Sequence, residues 1–343
     1  MRECYLGGKL LRLTRINVNL LQKCDVCILH FAMIGIIGRF GLAMADIGSL
    51  VISAHFVAPH LEQIALRLQR PAVARVFVGQ LPEAACKMIP YFYTLCAEAQ
   101  RAAAEAALVA AGTLEARVVD DRALWLECLH EHLWRLLIDW PQALGVADAR
   151  EDFVAWRNGR QEAGLFALSR SVVDKALSDG AIKKCREKLV DRNDLLPHSP
   201  PSMNAAKFLS FWRGEADCLP DLPHPGSVAE AFERRVAELQ WALAGLLDAQ
   251  RFPVGSAGGD GWGIGQCLTA RGVLTHAVHV VDERVAKYQV WAPTDRYFAD
   301  AGALTALLVG HEWPDIEAAR RGLRLAILAL DPCLPFEVEM SHA

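Results

Sequence analysis

The sequence has no block of five or six like charges, and its 36 lysines and arginines against 40 aspartates and glutamates leave a net charge of −4. A nucleic-acid partner needs a clustered basic face, so none is expected. No apolar run reaches the roughly 20 residues that a bilayer-spanning helix requires. The nearest, Val26 to Gly38, holds His30 and lies between Asp25 and Arg39, so no stable membrane span is expected. No internal repeat or low-complexity tract occurs either, which removes repeat arrays from consideration.

What is present is apolar. Hydrophobic residues make up 53% of the 343 and charged residues 22%, enough to bury a large core and too apolar for global disorder. At roughly 150 residues per domain, the length sets a prior of about two domains. Ten cysteines would allow five disulfides, but a long, alanine-rich, enzyme-sized chain does not need such staples. They read as mostly reduced, as expected in the cytoplasm. The question becomes which thiols are placed for chemistry, since intracellular cysteines are either small buried hydrophobes or reactive groups.

Residues 1–43 differ from the rest. Arg2, Lys9, Arg12, Arg15 and Lys23 precede the uncharged stretch, and Ala43-Met44-Ala45 fits a small-x-small cleavage pattern. Three readings stay open: a true start at Met44 with 1–43 as a doubtful extension, a secretory signal, and a genuine extension. The first agrees best with a globular pattern that begins at Met44.

From Leu50, alternation through Val51, Ser53 and His55, and again from Glu62 to Leu68, predicts a pair of strands. Pro71 to Gln80 reads as a short helix or turn, and Pro82 opens a helix that Pro90 ends. Ala97 to Ala111 is almost pure helix former. Arg122 to Ile138 carries the stripe Leu126, Leu129, Leu133, Leu136 and Leu137, closed by Asp139-Trp140-Pro141. Phe166 to Val190 and Val228 to Gln250 are further helices; Leu195 to Pro201 and Cys218 to Gly226 are proline-bearing loops. Within the glycine-rich run Gly255 to Gly265, the stretch Gly259 to Gly265 reads as a mobile loop at the edge of the site. Gly272 to Val281 and Ala286 to Trp291 form a hairpin about Asp282-Glu283-Arg284, and Asp315 to Leu330 is the last helix. The expected class is α+β, predominantly α, a helical core flanked by small antiparallel β elements. Residues 44–90 form a β-rich start, 91–250 the helical core, and 251–343 a hairpin, C-terminal helix and Asp-Pro-Cys motif.

Two thiols stand at element ends. Cys96 comes just before the alanine-rich helix with Thr94 in reach as a cap, so the helix's positive end and free N–H groups are expected to favour its thiolate. Cys333 follows Asp331-Pro332, where proline ends the helical run and turns the thiol from its axis. Iron and soft metals take thiolate ligands, and loops at element ends can bring distant thiols together. The plainer alternative is a pair of inert buried cysteines.

Tyr93-Thr94-Leu95-Cys96-Ala97-Glu98-Ala99, Thr269-Ala270-Arg271-Gly272-Val273-Leu274-Thr275-His276, Ala292-Pro293-Thr294 and Asp331-Pro332-Cys333 occur in the order seen in nickel-iron hydrogenase large subunits. Glu131-His132-Leu133-Trp134-Arg135-Leu136-Leu137-Ile138-Asp139-Trp140-Pro141 and the short chain more closely resemble large-subunit-like maturation proteins of the HupK/HoxV type. The resemblance runs from about Met44 to Glu339 and implies the large-subunit fold. True large subunits carry a Cys-x-x-Cys pair at each end. Here Ala99 and Phe336 occupy the second positions, and Glu339 stands where the family has a histidine. The resemblance therefore implies no complete nickel-iron centre and no enzyme. It implies a scaffold that transiently holds iron as an Fe(CN)2CO fragment at Cys96 and Cys333 before transfer to the large subunit, with maturation chaperones and that subunit as partners. Arg271 matches the arginine that overhangs the hydrogenase site, where its donors would hydrogen-bond cyanide nitrogens. Asp331 would orient it and Thr294 would offer a hydroxyl. A surface arginine at a hairpin start and a capping threonine are the plainer readings. Leu268 and Ala270 replace the family's acid and proline before the arginine, and its proton-relay glutamate has no secure counterpart.

Two rival functions remain: a metal-free docking protein for maturation chaperones, and a degenerate hydrogenase-like oxidoreductase, which would need four thiolates and nickel. Other motifs are weaker. Cys24-Asp25-Val26-Cys27 is one pair and cannot complete a zinc site. His130-Glu131-His132 puts its histidines on different helix faces, and Gly259 to Gly265 lacks a Walker lysine and a βαβ unit. Cys86, Cys128, Cys185, Cys218 and Cys267 have no partner spacing and read as packing residues.

Overall fold

The computed structural model describes residues 48–93, 95–189 and 202–342, together with 5–6 and 9–10. Residues 1–47 form one unit, in which strands β1 (Tyr5–Leu6) and β2 (Lys9–Leu10) pair antiparallel. Most of the questioned N-terminal segment, including Cys24, Cys27 and the Ala43-Met44-Ala45 pattern, lies outside the described residues. So do Thr94 and the loop from Leu195 to Pro201.

The second unit begins at Gly48, where the expected strand pair forms as β3 (Ser49–Val57) and β4 (His60–Gln69), joined antiparallel. Period-two alternation turns Leu50, Ile52, Ala54 and Phe56 of β3 inward. A strand that the sequence pattern does not predict, β9 (Phe336–His342), joins the other edge of β3 in parallel, with Leu50 opposite Phe336. This pairing ties the chain's last described strand to the first strand of the unit.

The first helices arrive after a 3-10 turn at Val73–Phe77. Helix α1 (Pro82–Phe92) starts at its proline as expected but runs two residues past Pro90. A proline in the last turn forfeits only one backbone bond. Helix α2 (Ala97–Ala110) matches the alanine-rich run. Helix α3 (Asp121–Trp134), capped by Asp120, passes through a π turn at Arg135–Asp139 into the short α4 (Trp140–Ala143). The extra residue of a π turn rotates the helical turns beyond it, and such turns are frequent at functional sites. Helices α5 (Arg150–Asn158), α6 (Leu165–Ser178), α7 (Ala181–Lys188) and α8 (Ala205–Arg213) lead to the long α9 (Val228–Leu247), whose Ser227 cap accepts the Glu230 N–H at 3.1 Å. Trp125, Trp140 and Trp156 are fully buried in the main core that these helices share.

The glycine-rich run is ordered sheet, not a mobile loop. It forms β5 (Val254–Gly259) and β6 (Trp262–Thr269), followed by β7 (Gly272–Val281) and β8 (Arg284–Trp291), a four-stranded antiparallel sheet in chain order. A Cβ on Gly263 or Gly265 would collide with the carbonyl oxygens of Ala107 or Ala103 on α2. Glycine strand and alanine helix are therefore complementary, and each permits the close approach of the other. The β7–β8 turn places Asp282 and Glu283 at positive φ, as a two-residue hairpin requires. Helices α10 (Pro293–Tyr297), α11 (Gly302–Leu308) and α12 (Ile316–Leu330) complete the unit. Leu323, Ala326, Ile327 and Leu330 of α12 pack with Leu50 and Ile52 of β3. Among the described residues no helix is long and apolar enough to cross a membrane.

Candidate functional site

The two thiols approach from opposite ends of the chain. Cys96 is the residue before α2, which the glycine strands hold against the sheet. Cys333 follows α12, which ends when Asp331 adopts a left-handed conformation at φ 46. Aspartate tolerates that region, and the reversal directs Pro332 and Cys333 back across the end of the helix. The two sulfurs lie near enough that Cys333 contributes to the electrostatics of Cys96. Both cysteines are only partly covered.

The electrostatic setting of Cys96 differs from expectation. The free N–H groups at the start of α2 do not serve its thiolate, because Glu127 takes them: its carboxylate accepts from Glu98 N at 2.8 Å and Ala99 N at 3.0 Å. Burial, with the negative charge of Glu127 next in weight, pushes the Cys96 thiol up to about 12. Burial likewise raises Glu127 to about 7, although its two backbone donors pull the other way. Unliganded Cys96 is a neutral thiol, and a metal binding there must displace its proton. Gln100 Nε2 lies 3.5 Å from the sulfur.

Cys333 is held on both backbone and sulfur. Its N–H donates to Thr294 Oγ1 at 3.2 Å, and its sulfur accepts from Arg70 Nη2 at 3.1 Å. Thr294 is buried in the first turn of α10, so its hydroxyl serves the Cys333 backbone. The next residue, Asp295, accepts from Arg70 Nε at 2.7 Å. Burial weakens the proton affinity of the Arg70 guanidinium, but Cys333 and Asp295 outweigh it and leave the affinity raised.

Arg271 occupies the two-residue β6–β7 turn, with Thr269 Oγ1 accepting its N–H at 3.2 Å. It is not a surface arginine: its side chain is 4% exposed. Nη2 donates to Glu131 at 2.8 Å, and Nε to the Asp331 carbonyl at 3.1 Å while lying 3.3 Å from the Asp331 carboxylate. That carboxylate is a hub. It also accepts from Arg135 Nε at 2.6 Å and Arg235 Nη2 at 2.8 Å, and Arg135 reaches on to Asp139. Burial alone would raise the Asp331 pKa, but the three guanidiniums hold it well below the usual carboxylate range. A cavity of about 30 Å³ beside the hub, bordered by Arg235, Arg271, Asp331 and Tyr297, is large enough for water only.

Sequence reasoning gave no site role to Arg70, Glu127, Glu131, Arg135, Arg235 or Asp295. Arg235 did leave a signal, since it sits at a buried position of the α9 stripe formed by Phe232, Val236 and Leu239. Of the discounted motif, His130 packs against Phe153 and Trp156, while His132 is buried and held neutral by burial and by Arg235, down to about 3. Ala99 is buried in the main core, and Phe336 opens β9 at 40% exposure. Among the described residues no group of three histidines, cysteines, aspartates or glutamates could hold a metal ion, so the thiol pair stands without a third such side chain.

No family model matches the chain. Its fold is that of nickel-iron hydrogenase large subunits, as similarity to solved structures demonstrates. The [NiFeSe] hydrogenase of Desulfovibrio vulgaris Hildenborough in the reduced state aligns with a TM-score of 0.52 at 12% identity, over 81% of this chain and 94% of that one. A variant of that enzyme aligns at 0.53 and 13%, over 83% and 98%. Within that fold the chain belongs to the HupK family of hydrogenase expression/formation proteins. It is 31% identical to HupK of Azotobacter vinelandii over 81% of this chain and 94% of that protein. It is also 28% identical to HupV of Azotobacter chroococcum over 86% and 99%, and 26% identical to HoxV of Cupriavidus necator over 80% and 92%.

Proposed function

We propose that this chain is a non-catalytic carrier in hydrogenase maturation, acting in the cytoplasm, that transiently holds an Fe(CN)2CO fragment between Cys96 and Cys333. It then passes the fragment to the hydrogenase large subunit, with maturation chaperones as its delivery partners. The observation that carries this reading is that Cys333 lies within electrostatic reach of Cys96, with no group of three metal-ligating side chains among the described residues, beside guanidiniums able to donate to cyanide nitrogens. Its relatives' names as expression/formation proteins support the maturation role. The iron is cargo: two protein bonds retain it, and fewer bonds ease its release. Arg271, immobilised by Glu131 and Asp331, forms the rigid inner wall.

The test is anaerobic co-expression with the maturation proteins, then infrared spectroscopy of the purified chain. Cyanide and carbonyl stretches are expected in the wild type and absent from Cys96→Ser/Cys333→Ser. Missing bands, or bands undiminished in the double variant, overturn the carrier reading. A double variant that still supports hydrogenase maturation favours the metal-free docking role, and stoichiometric nickel favours an oxidoreductase.

A further inference from the structure

Arg70 is a second guanidinium at the thiol pair, and it contacts the Cys333 sulfur directly. Adjacent residues of one turn fix its position, since Thr294 holds the Cys333 backbone at 3.2 Å and Asp295 holds the Arg70 guanidinium at 2.7 Å. The sulfur and the cation are thus kept in register at 3.1 Å across 263 positions of sequence. The Arg70 side chain is 30% exposed against 4% for Arg271, so Arg70 is the guanidinium that solvent reaches.

A pair of partly covered thiols has a selectivity problem. Divalent zinc, nickel and copper compete strongly with iron(II) for the same donors, and proteins choose among them by geometry and charge more than by raw affinity. A bare dication approaching Cys333 meets a fixed positive charge already bonded to the sulfur. An iron atom that carries anionic ligands brings acceptors to that same charge, and a guanidinium has donors to spare for them. We propose that Arg70 is a specificity-determining residue, which excludes bare divalent cations from the Cys96–Cys333 pair and admits metal already bearing anionic ligands. The identity of the admitted cargo rests on the carrier reading; the exclusion of bare cations does not.

Cadmium tests this on the full-length, reduced, metal-free protein, with thiolate-to-metal charge-transfer absorption as the readout. Arg70→Gln is expected to bind Cd²⁺ at least about tenfold more tightly than wild type, a conservative figure for removing a unit charge a few ångströms from the site. Arg70→Lys, which keeps the charge, is expected to stay near wild type, and adding Cys333→Ser to Arg70→Gln is expected to abolish the gain. An unchanged or weaker affinity in Arg70→Gln overturns the proposal, as does an equal gain in Arg70→Lys or a gain that survives without Cys333. Absent cyanide and carbonyl bands in the co-expressed wild type would overturn the carrier reading alone, because the cadmium titration does not depend on that cargo.

Discussion

Replacing Asp331 with asparagine should unfasten the inner half of the site. In the native protein Arg135, Arg235 and Arg271 converge on this carboxylate, and the neighbouring acids Glu131 and Asp139 complete a balance of three cations against three anions. Asparagine keeps the shape and removes one charge, which leaves a buried cation uncompensated. Breaking a buried pair in this way costs about 3–5 kcal/mol. At roughly 2 cal/mol/K per residue of unfolding entropy, the described unit should lose about 5–8 °C in Tm. The pH dependence separates this cause from a packing defect. Asp331 titrates below its ordinary 3.8 in the folded protein, so its contribution is fully present above that value and fades as pH falls through it. Thermal unfolding by circular dichroism should therefore give a gap between wild type and Asp331→Asn that is constant from about pH 7 to about pH 5 and narrows below about pH 4. A Tm within about 2 °C of wild type at pH 7, or a gap that ignores acid, would refute the assignment of Asp331 as the anchor of the three arginines.

The helix that carries Cys96 supplies two more tests. Gly265→Ala puts a Cβ against the Ala103 carbonyl of α2; overpacking of this kind costs about 1–3 kcal/mol. The variant should melt about 2–5 °C lower and, because α2 must shift with Cys96 at its head, lose the cyanide bands; full retention of both would contradict the helix-on-glycine packing. Glu127 rises from 4.5 to about 7 on folding, so its ionisation is a cost that is absent below 4.5 and complete above about 7. The Tm of Glu127→Gln relative to wild type should therefore climb between about pH 5 and about pH 8, whereas a flat difference would show that the carboxylate is not buried against α2.

Periodic segments were legible because burial writes its period into them. The strand pair from Ser49, the alanine-rich α2, the amphipathic α9 and the last helix all fall within a few residues of expectation. Glycine misled, since a run without side chains resembles a loop until the alanine face that needs it is known, and Gly263 and Gly265 declare themselves only against α2. Beyond the expectation that Asp331 orients Arg271, the members of the Asp331 hub stayed hidden for a different reason. Glu131 and Arg135 stand four apart, the spacing of a helix-surface pair, but both are drawn inward to different partners, Arg271 and Asp331. Arg70 lacked any local signal, because both the thiol and the aspartate it binds belong to the last quarter of the chain.

The two positions that the family resemblance matches to bridging cysteines, Ala99 and Phe336, are built into the frame of the fold. Ala99 has become packing: it is 2% exposed in the main core, and its N–H is capped by Glu127. A larger, charged side chain there would have to displace both the core contact and a carboxylate that already occupies the end of the helix. At the other end, Phe336 has become the first residue of β9, committed to a parallel register opposite Leu50. A cysteine introduced at 336 would belong to a strand whose register is set by the six pairs beyond it, from Val51–Glu337 to Phe56–His342. Restoring four ligands would thus demand a rearranged helix start and a rearranged sheet edge together. The remaining half of the site shows the opposite tendency. Cys333 is secured by Thr294 and Arg70, Arg271 by Glu131 and Asp331, and the four braces come from four separate stretches of the chain. On the proposed carrier reading, these braces keep Cys333 and Arg271 in place while the positions of a second thiol pair are committed to packing and to a strand.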